Sequence, residues 1–207
     1  MKRSKSISLT PLSPQSLLSA RPLYLGISSL LLAACGEQDY SAIVAESVDD
    51  CVNSTSLDIQ QCEIAYQQAL SEAQRTGPQF FNEQDCEWEF GMDNCYQDND
   101  SSFFFPMMSG YLIADKLFDH KKKRYKGYYT PLFGYKKPGS SFSNKYMFAD
   151  GSVLGRMNKN RFRVSESAFK PKPTFSRTVK RGGFGKVAAQ KVKINQRKTT
   201  RSRSWGG

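Results

Sequence analysis

The chain has one histidine in 207 residues, His120, and it stands inside HKKKRYK (120–126). Flanked by lysines, it reads as an exposed side chain, not a general base or a metal ligand. No C-x-x-C spacing occurs among the five cysteines, so a zinc ribbon or a thioredoxin-type couple has no sequence support. Nothing cationic lies near a cysteine in sequence to make a reactive thiolate. RGGFGKV (181–187) lacks P-loop spacing and has Val187 where a phosphate loop needs Ser or Thr. DNCYQDND (93–100) lacks the glycine and the final glutamate of a calcium loop and reads as a solvated acidic linker. These absences leave no catalytic residue, cofactor or metal to name, and they point to a protein that is not an enzyme.

A long hydrophobic run is also missing. The apolar segment from Leu23 to Ala34 spans 12 residues, against the roughly 20 needed to cross a bilayer. It follows a basic start, MKRSKS, with no acid before Glu37, which is the layout of a signal peptide over residues 1–34. It ends in Leu32-Ala33-Ala34-Cys35, which resembles the lipobox of bacterial lipoproteins. That resemblance implies acylation of the Cys35 thiol after cleavage, and anchorage by several acyl chains. Gly36 after the acylated cysteine implies sorting to the outer membrane, facing the periplasm, with the inner membrane as the other destination.

Charge is divided unevenly. Residues 36–100 carry 15 acids and one base, Arg75, whereas residues 101–207 carry 25 bases and four acids. Such a division suggests an acidic module and a basic tail. The expected organisation is a signal peptide with lipobox (1–34), an acidic cysteine-bearing helical module (35–100), an apolar segment (101–118) and a basic, mostly disordered tail (119–207).

Beyond Cys35, four cysteines remain: Cys51, Cys62, Cys86 and Cys95. An even number in an exported chain implies two disulfides with three connectivities open. Local pairing, Cys51–Cys62 and Cys86–Cys95, is favoured because each pair flanks one helix signal. Residues 58–76 repeat apolar positions at three- and four-residue steps, with Asp58 as cap, Gln61 three residues on, and Gly77-Pro78 as stop. A shorter helix is expected from Asn82 to a stop at Gly91. So small a core would lean on its disulfides.

SFFFPMMSGYLIADKLF (102–118) is the most apolar stretch after the signal, and it is too short and polar to span. It is expected to form a short helix from Met107, packed on the module or lying in a membrane interface beside the following cations. From Asp119 onward, Leu, Ile, Val and Phe make up only 15 of 89 residues, and no period of 2 or 3.6 persists. The fold class expected is therefore a small, mainly α, disulfide-stabilised module followed by a largely disordered basic tail. Aromatics interleave with cations in that tail, a pattern of single-stranded nucleic-acid binding. Export removes nucleic acid as a partner and substitutes anionic lipid, lipopolysaccharide phosphates or peptidoglycan carboxylates. Lys121, Lys122, Lys123, Arg124, Lys126, Lys180 and Arg181 are the candidate contacts with such a surface.

Several ordered motifs resemble those of the YgiB family of gammaproteobacteria: MKRSKS, LAAC (32–35), DDC (49–51), C-x-x-AYQQAL-x-EA-x-RT (62–76), EQDCEWEFG with its second cysteine (83–95), FPMMSGY (105–111), TVKRGGFG (178–185) and SRSWGG at the end. The family has no established activity, so the resemblance implies no catalytic residues. The family's Gln/Ala-rich spacer before the apolar motif is short and acidic here. The function expected is that of a non-enzymatic envelope lipoprotein, a tether or adaptor whose basic tail holds an anionic component or a protein partner. The alternatives are a periplasmic thiol/disulfide-active protein or an accessory subunit of an envelope enzyme.

Overall fold

The computed structural model describes residues 39–99, 101–114, 129–173 and 178–203. Strand β1 (Asp39–Ala45) leads into helices α1 (Val48–Ser54), α2 (Ile59–Thr76) and α3 (Glu83–Phe90). A two-stranded ribbon follows, β2 (Cys95–Gln97) with β3 (Phe104–Pro106), and then β4 (Gly110–Ala114), β5 (Thr130–Tyr135), β6 (Lys145–Met147), β7 (Val153–Arg156) and β8 (Arg161–Ser165). A 3-10 turn (Glu166–Phe169) and helix α4 (Gly183–Arg203) complete the described fold.

The helices begin where local chemistry dictates. The Asp58 carboxylate accepts from the Gln61 amide at 2.8 Å while the Gln61 side chain accepts from the Asp58 amide at 3.0 Å, a reciprocal capping box. Asn82 caps α3 through the Asp85 amide, and Gly91, at φ +96, closes it. The face of α2 that is buried is its small-residue face, Cys62, Ala65, Ala69 and Ala73, whereas Ile59 is exposed. Small side chains let the helix axis approach the sheet closely.

Six strands form one antiparallel sheet in the order β7-β6-β5-β4-β1-β8. Its outermost strands, β7 and β8, are consecutive in the chain and joined by four residues, 157–160. That link reaches at most about 18 Å, whereas the edges of a flat six-stranded sheet would lie about 24 Å apart. The sheet must therefore curl until its edges meet. At the seam, a Cβ on Gly155 of β7 would come within 2.5 Å of the Phe162 ring of β8, so only glycine fits. The result is a nearly closed barrel that shields both edges.

Both faces of the curled sheet are buried. Inside, Ala42, Val44, Leu112, Leu132, Tyr146 and Val164 pack together. Outside, Ala45, Tyr111 and Ile113 meet α1 and α2, while Phe133, Tyr135 and Met147 meet α3 and α4. Disulfides Cys51–Cys62 and Cys86–Cys95 lie within these outer layers, with all four cysteines buried.

This architecture corrects the expected fold class. The chain is not a small, mainly α module followed by a largely disordered basic tail: it is built on a six-stranded antiparallel sheet, five of whose strands come from the basic half. The reason lies in the side chains that fill the core. Tyr135, Tyr146, Met147 and Ala149 are buried, and none counts towards a Leu/Ile/Val/Phe tally. With helices on one face and the barrel interior on the other, β5 is buried at every position and shows no alternation. The apolar segment is corrected likewise. Residues 110–114 are a central strand between β1 and β5, not part of a helix, and residues 115–118 lie outside the described residues. Among the described residues, no helix is long and apolar enough to cross a membrane.

Candidate functional site

On helix α3 the neighbours Trp88 and Glu89 face solvent and the interior respectively. Trp88 is 48% exposed and Glu89 is fully buried. The Glu89 carboxylate accepts from the amides of Phe184 at 3.1 Å and Gly185 at 2.8 Å, the first turn of α4. Tyr135 adds a side-chain hydrogen bond. Burial pushes the Glu89 carboxyl above the ordinary carboxylate value, against the downward pull of the two amides, Tyr135 and Lys137. Burial, and then the adjacent Glu89, push the Tyr135 hydroxyl well above its ordinary value.

The RGGFG motif is shaped by this contact. Gly182 has φ +74, a backbone conformation suited to glycine. At Gly185 a Cβ would run into the Tyr135 hydroxyl. Phe184 is fully buried, its ring centroid 5.2 Å from that of Phe90. A helix N-terminus attracts anions, and here an internal carboxylate already fills that role. RGGFG is thus a lock between α4 and α3, not a phosphate loop.

What the lock leaves at the surface is cationic. The guanidinium of Arg181 donates to Asp85 at 2.7 Å and lies 5.5 Å from the centre of the Trp88 ring. The Lys137 ammonium lies 5.9 Å from the same ring. With Lys186, Ser140 and Phe142 these residues line an open pocket of about 370 Å³. Cations over an indole are held by its quadrupole. The arrangement suits recognition of an anionic group and offers no nucleophile with a base beside it.

Of the expected contacts, Arg181 reaches this pocket, and Lys180 is exposed next to it. Cys35, Lys121, Lys122, Lys123, Arg124 and Lys126 lie outside the described residues. Trp88, Lys137 and Lys186 were not singled out from sequence. They come from α3, the β5–β6 connection and α4, and packing of these elements around the Glu89 lock brings them together. Among the described residues, no group of three or more His, Cys, Asp or Glu side chains could hold a metal ion.

Residues 39–195, from the start of β1 into α4, match the family described as "Protein of unknown function (DUF1190)". A UPF0441 protein of Klebsiella pneumoniae is 30% identical over 230 residues, covering all of both chains. One from Erwinia tasmaniensis is 33% identical over 229 residues, again covering all of both. One from Serratia proteamaculans is 30% identical over 203 residues, or 90% of each chain. No solved structure matches the fold. The profile match covers the whole sheet and its helices and the relatives run the length of the chain, so this protein belongs to the DUF1190 family.

Proposed function

We propose that the protein is a non-enzymatic lipoprotein of the cell envelope, a tether that carries acyl chains on Cys35 and holds an anionic envelope component against its basic surface. The component is an anionic phospholipid, lipopolysaccharide or peptidoglycan, with a protein partner as the remaining candidate. On this reading the chain sits in the outer membrane, facing the periplasm. The observation that carries it is the convergence of Lys137 and Arg181 on the exposed ring of Trp88, with Lys186 lining the same pocket. The two disulfides support export, since such bonds persist in oxidising compartments. Burial of all four cysteines weighs against the rival reading of a thiol/disulfide-active protein, because an exchange partner must reach the sulfur.

Binding of this kind rests on several exposed charges, so it weakens steeply with salt. The test titrates full-length, detergent-purified protein against lipopolysaccharide, anionic vesicles and peptidoglycan sacculi at low and high salt, beside the Arg181→Gln, Lys186→Gln double variant. The expected result is salt-sensitive binding to one of the three that the double variant loses. Binding to none, or binding indifferent to both salt and the substitutions, overturns the reading. The intact mass of protein taken from membranes tests the anchor: residues 35–207 plus acyl chains are expected, and an unprocessed chain overturns it.

A further inference from the structure

On the other flank of the β5–β6 hairpin lies a second, larger pocket of about 640 Å³, framed by Lys136, Lys145 and Arg156. Lys136 and Lys137 are neighbours just after β5, and each lines a different one of the two pockets. Lys145 of β6 and Arg156 of β7 are directly opposite partners in the antiparallel ladder. Like charges at such positions are destabilising, with Cβ atoms only about 5 Å apart. Nothing acidic lines this pocket. Among the described residues, none of the three cations forms a salt bridge. The neutral contacts are the Asn94 amide oxygen, 3.2 Å from the Lys136 ammonium, and the Phe142 ring, with its centre 5.5 Å from that of Lys145. Ser141, Ser143, Asn144, Met157 and Asn158 complete the lining, the Met157 thioether packing back against Gly134 and the barrel interior.

We infer that this pocket binds a phosphorylated sugar. A phosphate monoester carries a charge of about −1.5 to −2, which matches three uncompensated cations better than a single carboxylate does. Arg156 supplies the planar fork that phosphate oxygens favour. Ser143 and Asn158 can donate to and accept from sugar hydroxyls. The volume falls within the range of small-molecule sites. An anion between Lys145 and Arg156 would turn a repulsive cross-strand pair into a bridged one. This inference goes beyond the tether reading, which rests on the Trp88 pocket, and its failure would leave that reading standing.

The test is calorimetric titration of full-length, detergent-purified protein with glucose 1-phosphate, glucose, inorganic phosphate and lipopolysaccharide. Glucose 1-phosphate or lipopolysaccharide is expected to bind more tightly than glucose and inorganic phosphate. The former outcome identifies a free sugar phosphate and the latter a lipid-linked one. Lys145→Gln and Arg156→Gln are each expected to weaken binding about tenfold or more, whereas Lys193→Gln on α4 leaves it unchanged. Because each pocket substitution removes a like-charge contact, its thermal midpoint should hold or rise. Inorganic phosphate binding as tightly as the sugar phosphate, affinity unchanged in both pocket variants, or a fall in their midpoints overturns the inference.

Discussion

The carboxylate of Glu89 accepts a hydrogen bond from the backbone amide of Gly185 at 2.8 Å, across a sequence separation of 96 residues. This contact joins the acidic half of the chain to the basic half, with Glu89 fully buried and Gly185 partly so. It also sets the distance between α3 and α4, and with it the Trp88 pocket.

Titration of Glu89 should be visible in stability. Its pKa is raised by burial, so the folded chain holds this proton more tightly than the unfolded one. The corresponding stability is fully present below the unfolded value and is lost as pH rises through the folded value. Thermal midpoints measured through and just above the ordinary carboxylate range are expected to show this decline in the wild type. Glu89→Gln cannot titrate, and its amide group opposes one of the two donor amides. It should be less stable, and the difference from wild type should shrink as pH rises.

Gly185→Ala is expected to cost about 1–3 kcal/mol, the usual range for an overpacked interior. The added methyl meets the Tyr135 hydroxyl and disturbs the Glu89 contact. Denaturant unfolding of the variant and of Gly185→Ala/Tyr135→Phe would separate the two effects. Removing the hydroxyl should recover part of the loss.

Asp150 behaves in the opposite sense to Glu89. Burial would raise its carboxyl, but hydrogen bonds from Lys191 and Ser152 hold it below the ordinary value. Lys191 of α4 donates to it at 2.8 Å. Its contribution is present above the unfolded value and is lost as pH falls through the folded one. Asp150→Asn is expected to be less stable than wild type near neutrality and to approach it in acid, as thermal midpoints across that range would show.

Replacing Cys86 and Cys95 together by alanine should cost about 2–4 kcal/mol, typical for loss of a native disulfide. The pair ties α3 to β2 beside Phe90 and Phe133. Unfolding curves with and without reductant are expected to differ less for this variant than for wild type, because one of the two bonds is already gone.

Features legible in the sequence were those written in local chemistry. The caps at Asp58 and Asn82 and the stop at Gly91 lie within a few residues of what they act on, and the helices follow them. The weight of the RGGFG motif was legible too, but its role was not. Gly185 is required by Tyr135, fifty residues upstream, and nothing near Gly185 in sequence records that contact.

By itself, then, the amino-acid order determined α2 and α3 of the three helices in the acidic half, the even set of four cysteines behind the two disulfides, and a basic second half rich in aromatics. Only the tertiary structure decided that the basic half is a sheet. Strands buried on both faces carry no alternating pattern: Tyr135 is a core residue because α3 and α4 cover the outer face of the sheet, and Tyr146 because the sheet curls around the interior. The pairing of β6 with β7 sets Lys145 opposite Arg156, and the Glu89 lock helps gather Trp88, Lys137 and Arg181. The Trp88 pocket is made of residues far apart in the chain, from Trp88 to Lys186, whereas the second pocket is drawn from residues 136–158 and depends on strand register.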